Sequence, residues 1–133
     1  LSDAAFDKLE DTIRKVDLKS RMVTTLAGTA GMSGSADGRG TAAMFHNPSR
    51  LALDGTGHIY VADSSNSTIR RIKLPDAEGT DAEVTTVAGT AGQSGVKLGA
   101  LPGRLNFPYG VAVLPTGEIF IADAGENAIL AIR

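Results

Sequence analysis

Cysteine and tryptophan are absent from the 133 residues, only two histidines occur, and aromatic residues make up 5% of the chain. Without cysteine there is no disulfide, no thiolate nucleophile and no Cys-metal site, and the redox compartment stays open. Two histidines, His46 and His58, cannot build a three-histidine metal centre. An excess of one charge is also missing: 13 basic and 15 acidic side chains leave a formal net charge of −2 and a pI near 5.6, so no global field draws nucleic acid. The longest strongly apolar run is the four residues 119–122, against the roughly 20 that a spanning helix needs. No window sustains a 3.6-residue apolar period, which excludes a stack of helices. A leader pattern is missing as well, and with Leu at position 1 the natural start is expected upstream.

What the chain has is repetition. Residues 51–72 recur as 111–132, with Ala52 falling on Ala112, Gly57 on Gly117, Ile59 on Ile119, Asp63 on Asp123, Ile69 on Ile129 and Ile72 on Ile132. Residues 23–31 and 84–92 (VTTLAGTAG and VTTVAGTAG) agree at eight of nine positions, and a degraded copy opens at Ser2-Asp3. One unit reads as four short strands, a to d. Residues 51–53 are an apolar run stopped by the turn formers Asp54-Gly55-Thr56-Gly57, which makes strand a. Residues 58–62 are β-branched and aromatic, 68–74 alternate apolar side chains with cations, and 83–88 complete the set as strands b, c and d. Tandem four-stranded antiparallel meanders predict the blades of a propeller.

The pattern Pro48-x-x-Leu-Ala-Leu-Asp, followed by Gly-x-Ile-Tyr-Val-Ala-Asp-x-x-Asn-x-x-Ile-Arg-x-Ile, resembles an NHL repeat, and Val-Thr-Thr-Leu-Ala-Gly resembles the block that follows it in many NHL propellers. The resemblance implies an all-β β-propeller with four-stranded antiparallel blades, of which the chain covers about three. Residues 1–27 are expected to form a blade without strand a, 49–89 a complete blade and 109–133 a blade without strand d, with long loops at 28–48 and 90–108. Three blades do not close a ring, since propellers typically take 4–8. Completion is therefore expected from more of the same polypeptide or from further copies, as a closed dimer or a filament. The resemblance does not select a function: NHL propellers include RNA binders, scaffolds, extracellular adhesion modules and a lyase class.

Ten positions separate Asp3 from Ile13 where six separate Asp63 from Ile69, which predicts a four-residue insertion within 4–11 presenting Phe6 and Leu9. In an up-and-down meander the b–c and d–a links share one face, so this insert and both long loops elaborate that face. Loops on a rigid scaffold carry binding groups. The candidate binding face is accordingly Phe6, Leu9, Arg39, His46, Asn47, Arg104 and Asn106.

Other chemistry is thinner. The Gly-rich segments 28–31 and 34–40 lack the lysine of a phosphate-cradling loop and open no helix. His58 aligns with Glu118 at a tolerant rim, which leaves His46 as the one well-placed histidine, short of the ligand set that resemblance to the lyase class would imply. Asp3, Asp63 and Asp123 could suggest a calcium ring, but each stands directly before a turn and is expected to cap it. The carboxylates of 76–83 lack calcium-loop spacing and are expected to form a solvated c–d loop. Arg14, Lys15, Arg70, Arg71 and Lys73 could form a basic stripe for RNA; Leu130 and Ala131 break it, and strand cations also protect exposed edges. Asn66-Ser67-Thr68 is an N-glycosylation acceptor expected in an exposed turn, which would favour an extracellular location, whereas Pro48 blocks Asn47. Ile69, Ile72, Ile129 and Ile132 are expected between blades.

Together these features predict a non-catalytic binding or assembly scaffold for protein or glycan, without a cofactor, whose partners are other proteins or further copies of itself. The runner-up is part of a metal-dependent lyase or hydrolase-like propeller whose site other blades complete. An RNA-binding NHL domain is third.

Overall fold

The computed structural model describes residues 4–77 and 80–133. Its strands are β1 (Ala4–Leu9), β2 (Thr12–Asp17), β3 (Val23–Gly28), a two-residue β4 (Gly38–Arg39), β5 (Pro48–Leu53), β6 (His58–Asp63), β7 (Thr68–Lys73), β8 (Glu83–Ala88), β9 (Pro108–Val113), β10 (Ile119–Asp123) and β11 (Ala128–Ile132). Single 3-10 turns stand at Gly40–Ala42 and Ser64–Asn66. The fold is all-β and propeller-like. Three antiparallel sheets run β1-β2-β3, β4-β8-β7-β6-β5 and β11-β10-β9. β9 packs on β5 and β6 of the sheet before it, and β1 lies against β5.

The sheets hold three, five and three strands, where three, four and three were expected. The extra strand of the central sheet comes from the first long loop. That loop runs to the outer edge of β8, pairs Gly38 with Val84 and Arg39 with Glu83, and only then returns to lead into β5. Pairing of this kind occupies amides and carbonyls that an edge strand would leave open.

The first unit also departs from expectation. No insertion protrudes between β1 and β2; Ala4–Leu9 is itself a strand, and Glu10 and Asp11, at φ 47° and 64°, form a two-residue hairpin turn. Two successive left-handed residues match the twist of the flanking strands. Leu9 pairs with Thr12 as Asp63 pairs with Thr68, so Leu9 and not Asp3 occupies the place of Asp63. Asp3 itself lies outside the described residues, as does Glu78 of the acidic loop.

Alternation along the strands packs two apolar layers between the sheets. Between the first and second lie Ile13, Phe45, Ile59, Val61, Ile72 and Val84, and between the second and third lie Ala62, Ile69, Leu105, Ile119 and Ile121. Of the four isoleucines expected between blades, Ile69 and Ile72 are fully buried, whereas Ile129 is 71% exposed.

Candidate functional site

The aspartates that close the second strand are loop anchors. Asp63 does not cap its own turn: Oδ1 accepts the His46 N–H (2.8 Å), and Oδ2 accepts the Asn66 amide (2.7 Å) and Arg70 Nη1 (2.9 Å). Asp123 takes the equivalent Asn106 N–H at 2.8 Å. His46 and Asn106 meet these aspartates through their backbones, and their carbonyls accept from the Ser65 (3.1 Å) and Gly125 (2.9 Å) N–H groups; the Asn106 side-chain amide donates in addition to Glu126 Oε1 at 2.9 Å. Burial raises the pKa of Asp63, against the hydrogen bonds from His46, Asn66 and Arg70. Burial likewise raises Asp123, helped by the Glu126 carboxylate and opposed by the Asn106 amide.

Arg70 is the largest departure from expectation. Neither a solvated strand cation nor part of a basic stripe, it is fully buried under the first long loop. Nη1 donates to Met44 O (2.7 Å) as well as to Asp63, and Nη2 donates to Ala36 O (2.9 Å) and Asp37 Oδ1 (2.8 Å). The guanidinium also lies 5.0 Å from the Phe45 ring centroid. One planar cation thus ties both limbs of the loop to strand β7, a task its fork of donors suits. In the third unit the same position is Leu130, and the second loop is held differently. Leu130 and Leu105 join the apolar layer, Lys97 and Arg104 exchange backbone hydrogen bonds at 3.1 and 3.2 Å, and Gly89 N–H donates to Pro102 O at 2.7 Å.

The candidate face divides accordingly. Leu9, His46, Asn47 and Asn106 stand at the end where the b–c turns meet the leads into β5 and β9. Phe6 does not: it lines a small cavity with Leu53, Gly57, His58 and Leu74 beside the a–b turn. Arg39 sits at the outer edge, where it pairs with Glu83 at 3.1 Å. Arg104 belongs to the small hairpin of the second loop. Asn66 is only 8% exposed and spends its amide on Gly34 O (2.7 Å) and Asp63, so the turn is not the open acceptor that glycosylation requires. His58, expected to be solvated, is half-buried and lies 3.0 Å from Asp54 Oδ2.

Where the three sheets meet at that end there is an open cleft of about 350 Å³, lined by Lys8, Glu10, Asp11, Asn47, Ser49, Ser64, Phe107 and Tyr109 among others. Its floor is stitched by hydroxyls: Ser49 donates to Tyr109 O and Ser64 to Pro108 O, both at 2.6 Å. Phe107 and Tyr109 are 43% and 46% exposed, and Arg50 lies 5.4 Å from the Tyr109 ring centroid. Neither aromatic belongs to the face that the sequence pattern picks out. Phe107 aligns with Asn47, and a position that changes from polar to aromatic between copies is the signal that could have found it. Among the described residues no three His, Cys, Asp or Glu side chains gather as a metal-ligand set.

Residues 45–72 match the NHL repeat. The chain is 40% identical over 81 residues to Protein SUPPRESSOR OF QUENCHING 1, chloroplastic, of Arabidopsis thaliana, an alignment covering 61% of this chain and 7% of that protein. It is 30% identical over 95 residues to Teneurin-3 of Danio rerio, covering 62% of this chain and 3% of that one. The chain thus spans less than a tenth of the length of these curated relatives. Among solved structures, an auxiliary nutrient binding protein from Bacteroides thetaiotaomicron superposes with a TM-score of 0.81 at 23% identity, over 98% of this chain and 35% of that one. At that identity the likeness is one of fold.

Proposed function

We propose that this NHL-repeat chain is a non-catalytic binding module whose ligand, a protein segment or a glycan, lies in the cleft between the three sheets. The observation that carries it is the pairing of two exposed aromatic rings, Phe107 and Tyr109, with a polar wall of Lys8, Glu10, Asp11 and Asn47. Concave sites that combine apolar surface with a few fixed polar groups are the usual form of a binding pocket. The buried Asp63–Arg70 pair and the Asp123 anchor fasten the loops that lead into it. A protein of like fold is called an auxiliary nutrient binding protein, which agrees with a binding role.

The test is a glycan array and a peptide library probed with the wild-type chain and with a Phe107→Ala/Tyr109→Ala variant. Retained ligands are expected to be lost by the variant while its circular dichroism is unchanged. Hydrolysis of a p-nitrophenyl ester or phosphate by the wild type, lost in the same variant, would replace the binding role with an enzymatic one.

A further inference from the structure

The main chain beside the two rings of the cleft is already engaged. Phe107 N–H donates to Ser67 Oγ at 3.3 Å, and Phe107 O accepts the Ala124 N–H at 3.2 Å. Pro108 has no N–H; its carbonyl accepts from Ser64 Oγ and the Tyr109 carbonyl from Ser49 Oγ, both at 2.6 Å. At the lead into β5, Asn47 N–H is held by Asp11 Oδ1 at 2.7 Å. An extended peptide that adds to a sheet edge binds through main-chain N–H and C=O groups. No N–H of 107 or 108 and no unshared carbonyl of 107–109 is left for one.

What the cleft presents instead is side chains. Among the described residues no hydrogen bond or ion pair engages Lys8 Nζ, the Glu10 carboxylate, Asp11 Oδ2 or Asn47 Oδ1. Lysine only donates and a carboxylate only accepts, whereas a hydroxyl does both and can answer either. The charges also balance. Lys8 lines the cleft with Glu10 and Asp11, and Arg50 lies 5.4 Å from the Tyr109 ring centroid, so two cations stand against two carboxylates. A cationic ligand would be set against Lys8 and Arg50, an anionic one against Glu10 and Asp11, and like charges brought together are penalised. The rings, 43% and 46% exposed, add an apolar platform. The face of an aromatic ring is the negative pole of its quadrupole and attracts weakly positive C–H groups.

Resting on the reading of this cleft as the binding site, we infer that its ligand is a neutral saccharide. The C–H face of a sugar ring lies on the aromatic pair, and its hydroxyls donate to Glu10, Asp11 Oδ2 and Asn47 Oδ1 and accept from Lys8 Nζ. The cleft, at about 350 Å³, is at the small end of ligand sites, roughly 300–1,000 Å³, which suits a short stretch of sugar.

The test is saturation-transfer NMR on the 133-residue chain. Cellotriose, maltotriose and tri-N-acetylglucosamine serve as neutral probes, trigalacturonate as an anionic one and trilysine as a cationic one. The neutral sugars are also coupled to serum albumin and captured on the immobilised chain, which tells a soluble saccharide from a protein-borne glycan; binding in either form supports the assignment. A neutral sugar is expected to bind, with saturation strongest at its ring C–H protons, and the charged probes are not. Lys8→Met should weaken that binding about tenfold, as loss of one hydrogen bond to a charged group does. Neutral-sugar binding that survives both Lys8→Met and Phe107→Ala/Tyr109→Ala unchanged would lie elsewhere and overturn the inference. Binding of a charged probe or a peptide, with no neutral sugar, would overturn the saccharide assignment and leave the cleft a binding site. Silence from every probe and from the peptide library would remove both.

Discussion

Arg70 Nη1 lies 2.9 Å from Asp63 Oδ2, with both side chains wholly out of water. The pair joins the end of β6 to the middle of β7; apart from the Asn66 side-chain amide on Asp63, its remaining bonds reach the loop that precedes both strands. Removing one partner of a buried pair strands the other charge, at about 3–5 kcal/mol. Arg70→Met, which leaves buried Asp63 without a cation, should cost about that much in urea unfolding; Asp63→Asn should cost less, because Arg70 keeps Asp37 Oδ1 at 2.8 Å, and the double variant should cost clearly less than the two added. Additive losses would show that the two side chains act separately.

The raised pKa of Asp123 sets the direction of a pH effect. Between the ordinary value of 3.8 and the raised folded one, the folded chain holds the proton more tightly than the unfolded chain does. Stability therefore falls as pH rises through that window and levels off above it. Asp123→Asn cannot take part, so the wild type's stability relative to this variant should decline as pH is raised from 3 and then become flat. A difference that grows with pH would mean the folded protein favours the carboxylate anion.

Gly89 and Gly92 separate two effects of glycine. Both have positive φ, at 82° and 77°, but a Cβ on Gly89 would run into the Ser67 carbonyl oxygen, while one on Gly92 meets nothing within 4 Å. Gly92→Ala should cost about 1–2 kcal/mol, the left-handed term alone. Gly89→Ala should cost more, since backbone must move, and thermal melts of the two variants measure the difference.

Ile72→Ala should cost about 2–5 kcal/mol, as truncation of a buried isoleucine does. Ile129→Ala, at an equally recurrent position, should stay within about 0.5 kcal/mol in this chain because its side chain faces water. A large loss at Ile129 by chemical denaturation would contradict its exposure.

The strands were legible because their signals are local: apolar runs, period-two alternation and turn formers recur in both copies, and the strands they mark pair alike, Ile59 with Ile72 and Ile119 with Ile132. The Asp-to-Ile spacing misplaces the first hairpin, because Glu10-Asp11 is a turn without the usual glycine. The site was less visible because its contacts are distant in sequence. Nothing near Arg70 tells whether a cation faces water or carbonyls 26 and 34 residues earlier. Asn66 illustrates the same limit, since its acceptor tripeptide is intact while its amide is engaged by Gly34 O.

The fastening of the first long loop also has an order in time. Ala36 and Met44 are made well before Arg70, and Gly38 well before Val84, the residue it pairs with. At about 5–20 residues per second of synthesis, the loop waits roughly 2–7 s between its own appearance and that of the arginine that secures it. Residues 29–43 contain one large apolar side chain, Met32, among glycine, alanine, serine and threonine and the charged Asp37 and Arg39. A segment with so little to bury can stay open on a growing chain without inviting aggregation, and the greasier Phe45 follows close to the strand that will cover it.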